Sequence, residues 1–120
     1  MKRTYPTNQN LLSLINQLKK KSIDDGMAIW KRVAIDLEKP TRSRRVVNLS
    51  RINRYTHENE IIIVPGKVLG SGSLDHKVTI SAYQFSEGAV EKIEKAGAKT
   101  ISLYDLLNDS IKGKKVRIIG

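Results

Sequence analysis

The sequence has 120 residues, enough for one domain with a modest core and too few for two well-buried ones. Its 22 Lys and Arg residues against 12 Asp and Glu leave a formal net charge of +10, which favours a polyanionic partner. The absence of cysteine excludes disulfides, thiol catalysis and most structural zinc sites, and no apolar run has the length of a membrane span or a secretory signal.

The positive charge is concentrated in the first half of the chain. Residues 1–60 carry a balance of +7, whereas residues 61–120 carry +3. Aromatic side chains are few, with one Trp, one Phe and four Tyr, so a surface that stacks single-stranded bases is not favoured. We therefore expect charge and shape, more than stacking, to select the partner.

Residues 1–7 form a short basic arm that contains Lys2 and Arg3. Residues 8–22 are predicted to be a helix, because apolar residues recur there at helical spacing. That predicted stripe consists of Leu11, Leu12, Ile15 and Leu18. The lysines at 19–21 close the predicted last turn, where they are either a solvated helix end or a phosphate contact.

A second helix is predicted to begin with Asp24 or Asp25 as its cap and to run to about Glu38. Its apolar face consists of Met27, Trp30, Val33, Ala34 and Leu37. Two amphipathic helices with a very short turn between them predict a helical hairpin. Trp30 is interpreted as a core residue rather than a base-stacking one.

Residues 41–47 read TRSRRVV and are predicted to be a loop, because they hold too little apolar material to fold alone. Ser50 is then predicted to cap a short helix through Tyr55. We call the basic side chains of these two segments the arginine patch, which consists of Arg42, Arg44, Arg45, Arg51 and Arg54. Such a block is disordered in isolation or matched to phosphates in a complex.

The second half begins with a short apolar strand over residues 60–64, which Pro65 and Gly66 are predicted to turn toward a glycine-serine loop at residues 70–73. Alternating residues at 78–83 predict a strand with one buried face. A helix follows, with Ser86 as its cap and Gly97 at its end.

A short strand at residues 99–102 and a helical turn that begins at Ser102 or Asp105 are predicted next. Residues 113–120 read GKKVRIIG and predict an edge strand that turns Lys114, Lys115 and Arg117 outward.

No catalytic, cofactor or metal site is predicted. The glycine-serine loop lacks the Lys and Ser or Thr that a P-loop places after its final glycine, and a strand rather than a helix follows it. Asp75 and His76 are adjacent at the start of a strand, so we expect their side chains to point apart and Asp75 to be poorly placed to orient His76. His57 has only Glu58 and Glu60 nearby, too few ligands for a metal site.

The stretch GKVLGSGSLDHKVTISAYQFSEGAVEKIEKAGA at residues 66–98 resembles the signature region of the archaeal and eukaryotic large-subunit ribosomal protein family eighteen-e. It also resembles bacterial large-subunit ribosomal protein fifteen. The likeness extends to the helix pair, to TRSRRVVNLSRINRYT and to the closing KKVRIIG, so it covers nearly the whole chain. The short length and the absence of long basic tails point to the archaeal form.

The resemblance implies a structural, non-enzymatic constituent of the large ribosomal subunit in the cytoplasm, bound to large-subunit ribosomal RNA and to neighbouring ribosomal proteins. No membrane, no small-molecule substrate, no cofactor and no homo-oligomer are expected. The implied fold is α/β: a helix pair and a basic loop, then an irregular superhelix of strand-strand-helix units. The alternatives are a protein-interaction adaptor outside the ribosome and a general RNA-binding module.

We expect one domain over residues 1–120, with an arm at 1–7, the helix pair at 8–39, the arginine-rich loop and short helix at 40–59 and the strand and helix body at 60–120. The arginine patch is predicted to bridge phosphates of separate RNA segments. Lys67, Ser71 and Lys77 are predicted to flank the glycine-serine loop against RNA. The basic ends add Lys2, Arg3, Lys114, Lys115 and Arg117.

Overall fold

A computed structural model of the protein describes residues 9–39, 45–107 and 115–119. The chain divides into two units, Met1–Arg44 and Arg45–Gly120. The first contains helices α1 (Gln9–Asp25) and α2 (Ala28–Glu38). The second contains β1 (Arg45–Asn48), α3 (Leu49–Tyr55), β2 (Ile61–Leu69), β3 (Thr79–Phe85), α4 (Glu87–Lys95), β4 (Lys99–Ser102), α5 (Leu103–Leu107) and β5 (Val116–Ile118). The predicted α/β class is confirmed, and the predicted single domain stays a prediction.

In the first unit, α1 and α2 form the predicted helical hairpin. Each helix buries one apolar stripe, which comprises Leu11, Leu14, Ile15 and Leu18 in α1 and Trp30, Val33, Ala34 and Leu37 in α2. Trp30 is fully buried, as predicted. Leu12 was predicted to be in the stripe but is 41% exposed, and Leu14 takes its place because it lies three residues from Leu11 and four from Leu18.

The boundary between the two helices differs from the predicted one. Asp24 and Asp25 belong to α1 and cap nothing, so the predicted cap is wrong. The chain breaks instead at Gly26, whose φ of +67° glycine adopts without steric cost. Met27 is the N-cap residue of α2 and supplies no side-chain hydrogen bond.

The lysines at 19–21 therefore lie inside α1 rather than in its last turn. The ammonium group of Lys19 pairs with Glu38 at 2.7 Å, and that of Lys21 pairs with Asp25 at 3.3 Å, one helical turn away. Two cations of this run thus have partners within the first unit, which favours a structural use of their charge over phosphate contact.

The second unit is built on a five-stranded parallel sheet with the order β1-β2-β3-β4, in which β5 also pairs with β2. From β1 to β4 the parallel strands follow chain order, so each of these crossovers advances the chain by one strand, which agrees with the superhelix that the resemblance implies, whereas β5 returns to pair with β2. β1 overturns the predicted loop at residues 45–47, while residues 41–44 lie outside the described residues. Its pairing from Arg45 to Gly66 and from Asn48 to Leu69 satisfies a backbone that local sequence marked as irregular.

β2 is longer than predicted because it runs through Pro65 and Gly66 instead of turning there. Its register against β3 shifts between Val64 and Lys67, so the proline sits at an irregularity where its missing N–H costs little. Lys67 consequently lies in the strand, with its side chain exposed, rather than in a loop.

The predicted apolar face of β3 is confirmed, since Val78, Ile80 and Ala82 are buried. The predicted exposure of Ser81 is wrong: it is fully buried, and its hydroxyl has no hydrogen-bond partner in the part of the chain that the structure describes. Parallel sheets are covered on both faces, so alternation does not expose every second residue.

Short helices lie in the connections between the strands of the sheet. Ser86 caps α4 by accepting a hydrogen bond from Ala89 N–H at 3.1 Å, and Ser102 accepts one from Asp105 N–H at 3.1 Å at the start of α5, as predicted. Ser50 does not cap α3, which begins at Leu49 after Asn48. The predicted strand near the carboxyl end is confirmed as β5.

Candidate nucleic-acid interface

Part of the predicted interface lies outside the described residues, namely Lys2, Arg3, Arg42, Arg44 and Lys114. Arg45 begins β1. The other predicted positions fall on the second unit, where the structure describes the surroundings of Arg51, Arg54, Lys67, Ser71, Lys77, Lys115 and Arg117.

α3 presents Arg51 and Arg54 on its exposed surface. The helix is fixed to the core by Leu49 and Ile52, which are fully buried. The guanidinium carbon of Arg51 lies 5.4 Å from the centre of the Tyr55 ring, a cation–π contact that restricts the arginine, and Tyr55 remains 49% exposed. This surface holds two cations and one aromatic ring on a short, well-anchored helix.

The glycine-serine loop is packed against its own protein. Gly72 has a φ of +89°, and a Cβ added there would lie 2.5 Å from Ser50 Cβ. A Cβ at Gly70 would lie 2.8 Å from Ala89 N. Both glycines are therefore required by close approach within the chain itself.

Backbone polar groups of this loop are also engaged. Lys92 donates from Nζ to the carbonyl oxygens of Gly70 at 2.7 Å and Gly72 at 2.8 Å. Ser71 N–H donates to Asn48 Oδ1 at 3.3 Å, and Ser71 O accepts from Ser50 N–H at 3.1 Å. Lys92 was not singled out from the sequence, because nothing local signals contacts with residues 20 and 22 positions earlier.

Lys77 does not flank this loop, so its predicted position is wrong. The loop follows the carboxyl end of β2, whereas Lys77 precedes β3, whose amino end is aligned with that of β2 through the pair Ile61 and Thr79. The nine-residue segment 70–78 runs back along the sheet and carries Lys77 to the opposite end. Of the three residues expected together, only Lys67 and Ser71 lie near the carboxyl end.

Asp75 and His76 are linked, contrary to the expectation that they point apart. His76 Nδ1 lies 3.1 Å from Asp75 Oδ1, and His76 Nε2 lies 2.7 Å from Thr56 Oγ1. Thr56 Oγ1 in turn donates to Ile52 O at 2.7 Å, and Asn53 Nδ2 donates to Asp75 Oδ2 at 3.4 Å. The hydrogen bond from His76, helped by that from Asn53, lowers the pKa of Asp75 below its usual value.

This chain of contacts resembles a catalytic triad only in its order. The Thr56 side chain is buried, with 6% of the residue exposed, and its proton is given to a backbone carbonyl rather than to His76. A buried hydroxyl that donates to a backbone carbonyl is not placed to act as a nucleophile. The network ties the segment before β3 to α3.

Arg117 is exposed but paired. Its Nε donates to Glu60 Oε2 at 3.3 Å, and His57 N–H donates to Glu60 Oε1 at 2.6 Å. Burial of Glu60 raises the pKa of its carboxyl group, but the hydrogen bond from His57 and the ion pair with Arg117 together outweigh burial and leave the pKa below its usual value. Lys115 is exposed beside this pair, and its carbonyl accepts from Ile61 N–H at 2.9 Å.

Among the described residues, no group of three or more His, Asp or Glu side chains is placed to hold a metal ion. No helix in the described part of the chain is long and apolar enough to cross a membrane.

Comparison with known proteins gives a consistent result. The family described as ribosomal proteins 50S-L15 and 50S-L18e, together with a 60S member, matches residues 10–101. A relative from Methanothermobacter thermautotrophicus, named large ribosomal subunit protein eL18, is 48% identical over 119 residues, which are 99% of this chain and 98% of the relative.

Two further relatives carry the same name. That from Sulfurisphaera tokodaii is 48% identical over 117 residues, 98% of this chain and 96% of its own length. That from Sulfolobus acidocaldarius is 50% identical over 115 residues, 94% of each chain. The resemblance drawn from the sequence motifs is confirmed, and all three relatives are archaeal, as the short length indicated.

Proposed function

Because this chain belongs to the family of ribosomal proteins that includes 50S-L15 and 50S-L18e, we propose that it is a structural component of the large ribosomal subunit that binds large-subunit ribosomal RNA. The observation that carries the proposal is the match to proteins named large ribosomal subunit protein eL18 over 94–99% of this chain. The family consists of ribosomal structural proteins, so the chain is not an enzyme. Its location is then the cytoplasmic ribosome.

The charge of the chain supports RNA as the direct partner. A net charge of +10 on 120 residues attracts a polyanion, and the scarcity of aromatic side chains suits recognition of folded RNA by shape and backbone. Arg51 and Arg54 are exposed on α3, where the planar guanidinium groups can pair with phosphate oxygens. In this role the arginine patch bridges separate RNA segments and fixes their relative placement during assembly.

Neighbouring large-subunit proteins are the second class of partner, and a monomeric protein bound to its RNA site is the expected state. Neither a small-molecule substrate nor a cofactor enters the proposal. The described surface of α3 offers the chemistry of a phosphate-binding helix rather than that of an active site.

The experiment that tests the proposal measures binding of the purified protein to protein-free large-subunit and small-subunit ribosomal RNA at several salt concentrations. We expect preference for the large-subunit RNA and a logarithmic salt slope of roughly −0.7 to −0.9 for each phosphate contact. The double variant Arg51→Gln with Arg54→Gln should bind more weakly and with a shallower slope. The matched control, Lys31→Gln with Arg32→Gln, removes the same charge from exposed positions of α2.

Sedimentation of cell lysates gives the corresponding test in the cell. The protein should travel with large subunits at low salt and be released as salt rises. A protein found only in the free pool, with arginine variants that bind RNA as the wild type does, would instead favour an adaptor whose charge serves solubility.

A further inference from the structure

Three lysines gather at the amino-terminal end of the parallel sheet, where β2, β3, β4 and β5 all begin. Thr79 of β3 pairs with both Ile61 of β2 and Lys99 of β4, and Ile61 also pairs with Val116 of β5. Lys77, Lys99 and Lys115 therefore lie at one end of the sheet, although 38 positions separate the first from the last in sequence. All three side chains are exposed.

Two of these lysines line a cavity of about 320 Å³. Its lining consists of Asn59, Lys77, Val78, Thr79, Gly97 and Lys99. The space is equivalent to roughly ten water molecules at the volume each takes in the liquid, which is enough for a phosphate group and part of its ribose.

The backbone around this cavity is fixed. Asn59 has a φ of +66°, and its N–H donates to Lys77 O at 2.7 Å, which holds the turn before β2 against the segment before β3. Gly97 has a φ of +75°, and a Cβ added there would touch the Lys77 side chain at 3.4 Å. The stem of Lys77 thus lies against Gly97, which restricts where its ammonium group can be.

The described residues that line the cavity carry an excess of positive charge. Its described lining includes Lys77, Lys99, Thr79 and Asn59, and no acidic residue. The nearby buried acid, Glu60, accepts from His57 N–H with one carboxylate oxygen and from Arg117 with the other. A concave site with several hydrogen-bond donors and excess positive charge favours an anion that has several acceptor oxygens.

We infer that this cavity binds a phosphodiester group of the RNA backbone, through Lys77 and Lys99, at a contact separate from the arginines of α3. The inference rests on the proposed function, because it names RNA as the source of the phosphate. A phosphate is favoured over an acidic side chain of a neighbouring protein because its oxygens are arranged tetrahedrally and can accept from both ammonium groups and from Thr79 at once. Lys99 was not among the residues predicted from sequence.

The test compares the double variant Lys77→Gln with Lys99→Gln against the control Lys31→Gln with Lys95→Gln, which removes two charges from exposed helix positions. Affinity for protein-free large-subunit ribosomal RNA is measured from roughly 50 to 200 mM salt. Loss of one phosphate contact should reduce the magnitude of the salt slope by about 0.7–0.9. The ratio of wild-type affinity to variant affinity should therefore fall roughly threefold across this range of salt. The control should keep the wild-type slope.

Thermal unfolding of both variants checks that the exposed substitutions leave the protein folded. A slope for the cavity variant equal to that of the control would overturn the inference. Normal RNA binding combined with loss of the variant from assembled subunits would also overturn it, because the cavity would then hold an acidic group of a protein. Failure of the proposed function is a different result, since the wild type itself would then show no preference for large-subunit RNA.

Discussion

The two ends of the parallel sheet use their lysines in opposite ways. At the carboxyl end, Lys92 donates to the carbonyls of Gly70 and Gly72, and its charge holds the glycine-serine loop in place. At the amino end, Lys77 and Lys99 line a cavity whose described walls include no carboxylate. The comparison shows that a lysine's contribution to net charge does not reveal whether that charge is available to a partner.

The same distinction applies to the arginines. Arg117 is paired with the buried Glu60, whereas Arg51 lies over the Tyr55 ring and is exposed. Both guanidinium groups were predicted to bind RNA on charge alone. The structure favours Arg51 as the stronger candidate, because binding a phosphate there breaks no ion pair with any residue that the structure describes.

The largest effect is expected in the glycine-serine loop at the carboxyl end of the sheet. It tests whether contacts within the protein hold this loop in place. Gly72→Ala places a Cβ 2.5 Å from Ser50 Cβ at a φ of +89°. Backbone strain and overpacking together should cost about 2–5 kcal/mol of unfolding free energy, measured by urea denaturation. The control is Gly88→Ala, where an added Cβ meets nothing within 4 Å. Equal stability of the two variants would show that the loop is not packed as described.

A smaller loss of unfolding free energy is expected when Lys92, the cation of α4 that binds this loop, is replaced. Lys92→Met deletes the charge-assisted hydrogen bonds to Gly70 O and Gly72 O and should cost about 1–2 kcal/mol, since the site is exposed. Lys95→Met, on the same helix and exposed, should stay close to the wild type. If both variants unfold at the same urea concentration, Lys92 has no structural role and the two ends of the sheet do not differ in this way.

The smallest effect concerns Glu60, the buried carboxylate that pairs with Arg117 at the amino end of the sheet. The folded-state pKa of Glu60 lies below its ordinary value of 4.5, so the ionised carboxylate stabilises the fold above that pH, and this contribution is lost as pH falls through the lower folded-state value. Glu60→Gln should therefore lower stability by about 0.5–1 kcal/mol at neutral pH and flatten its fall in acid. Thermal unfolding between neutral and acid pH measures the stability at neutral pH and its fall in acid. A variant whose stability falls in acid as steeply as that of the wild type would contradict the role given to the Glu60 carboxylate.

Local signals in the sequence were sufficient for several elements. Ser86 before an amphipathic run gave the cap of α4, and the stripe that contains Trp30 gave the buried face of α2. Each depends on residues within one or two helical turns. The family, too, could be identified from a contiguous stretch of motifs.

Elements and contacts that depend on distant residues were missed. β1 was predicted as part of a loop because the arginine-rich segment TRSRRVV gives no strand signal, and it forms only by pairing with β2, which lies beyond α3 in the chain. Lys92 and Lys99 were overlooked for the same reason, since their surroundings come from other strands and loops. The placement of Lys77 was wrong because sequence distance from Ser71 does not show that the chain runs back along the sheet between them.

The central claim is that RNA binding uses Lys77 and Lys99 at the amino end of the sheet and does not use Lys92, whose ammonium group is bound to the glycine-serine loop. The most direct test measures the salt dependence of binding to large-subunit ribosomal RNA for Lys99→Gln and Lys92→Gln, each of which removes one positive charge. The account predicts a shallower salt slope for Lys99→Gln and a wild-type slope for Lys92→Gln. A slope that Lys92→Gln reduces as much as Lys99→Gln does would contradict it.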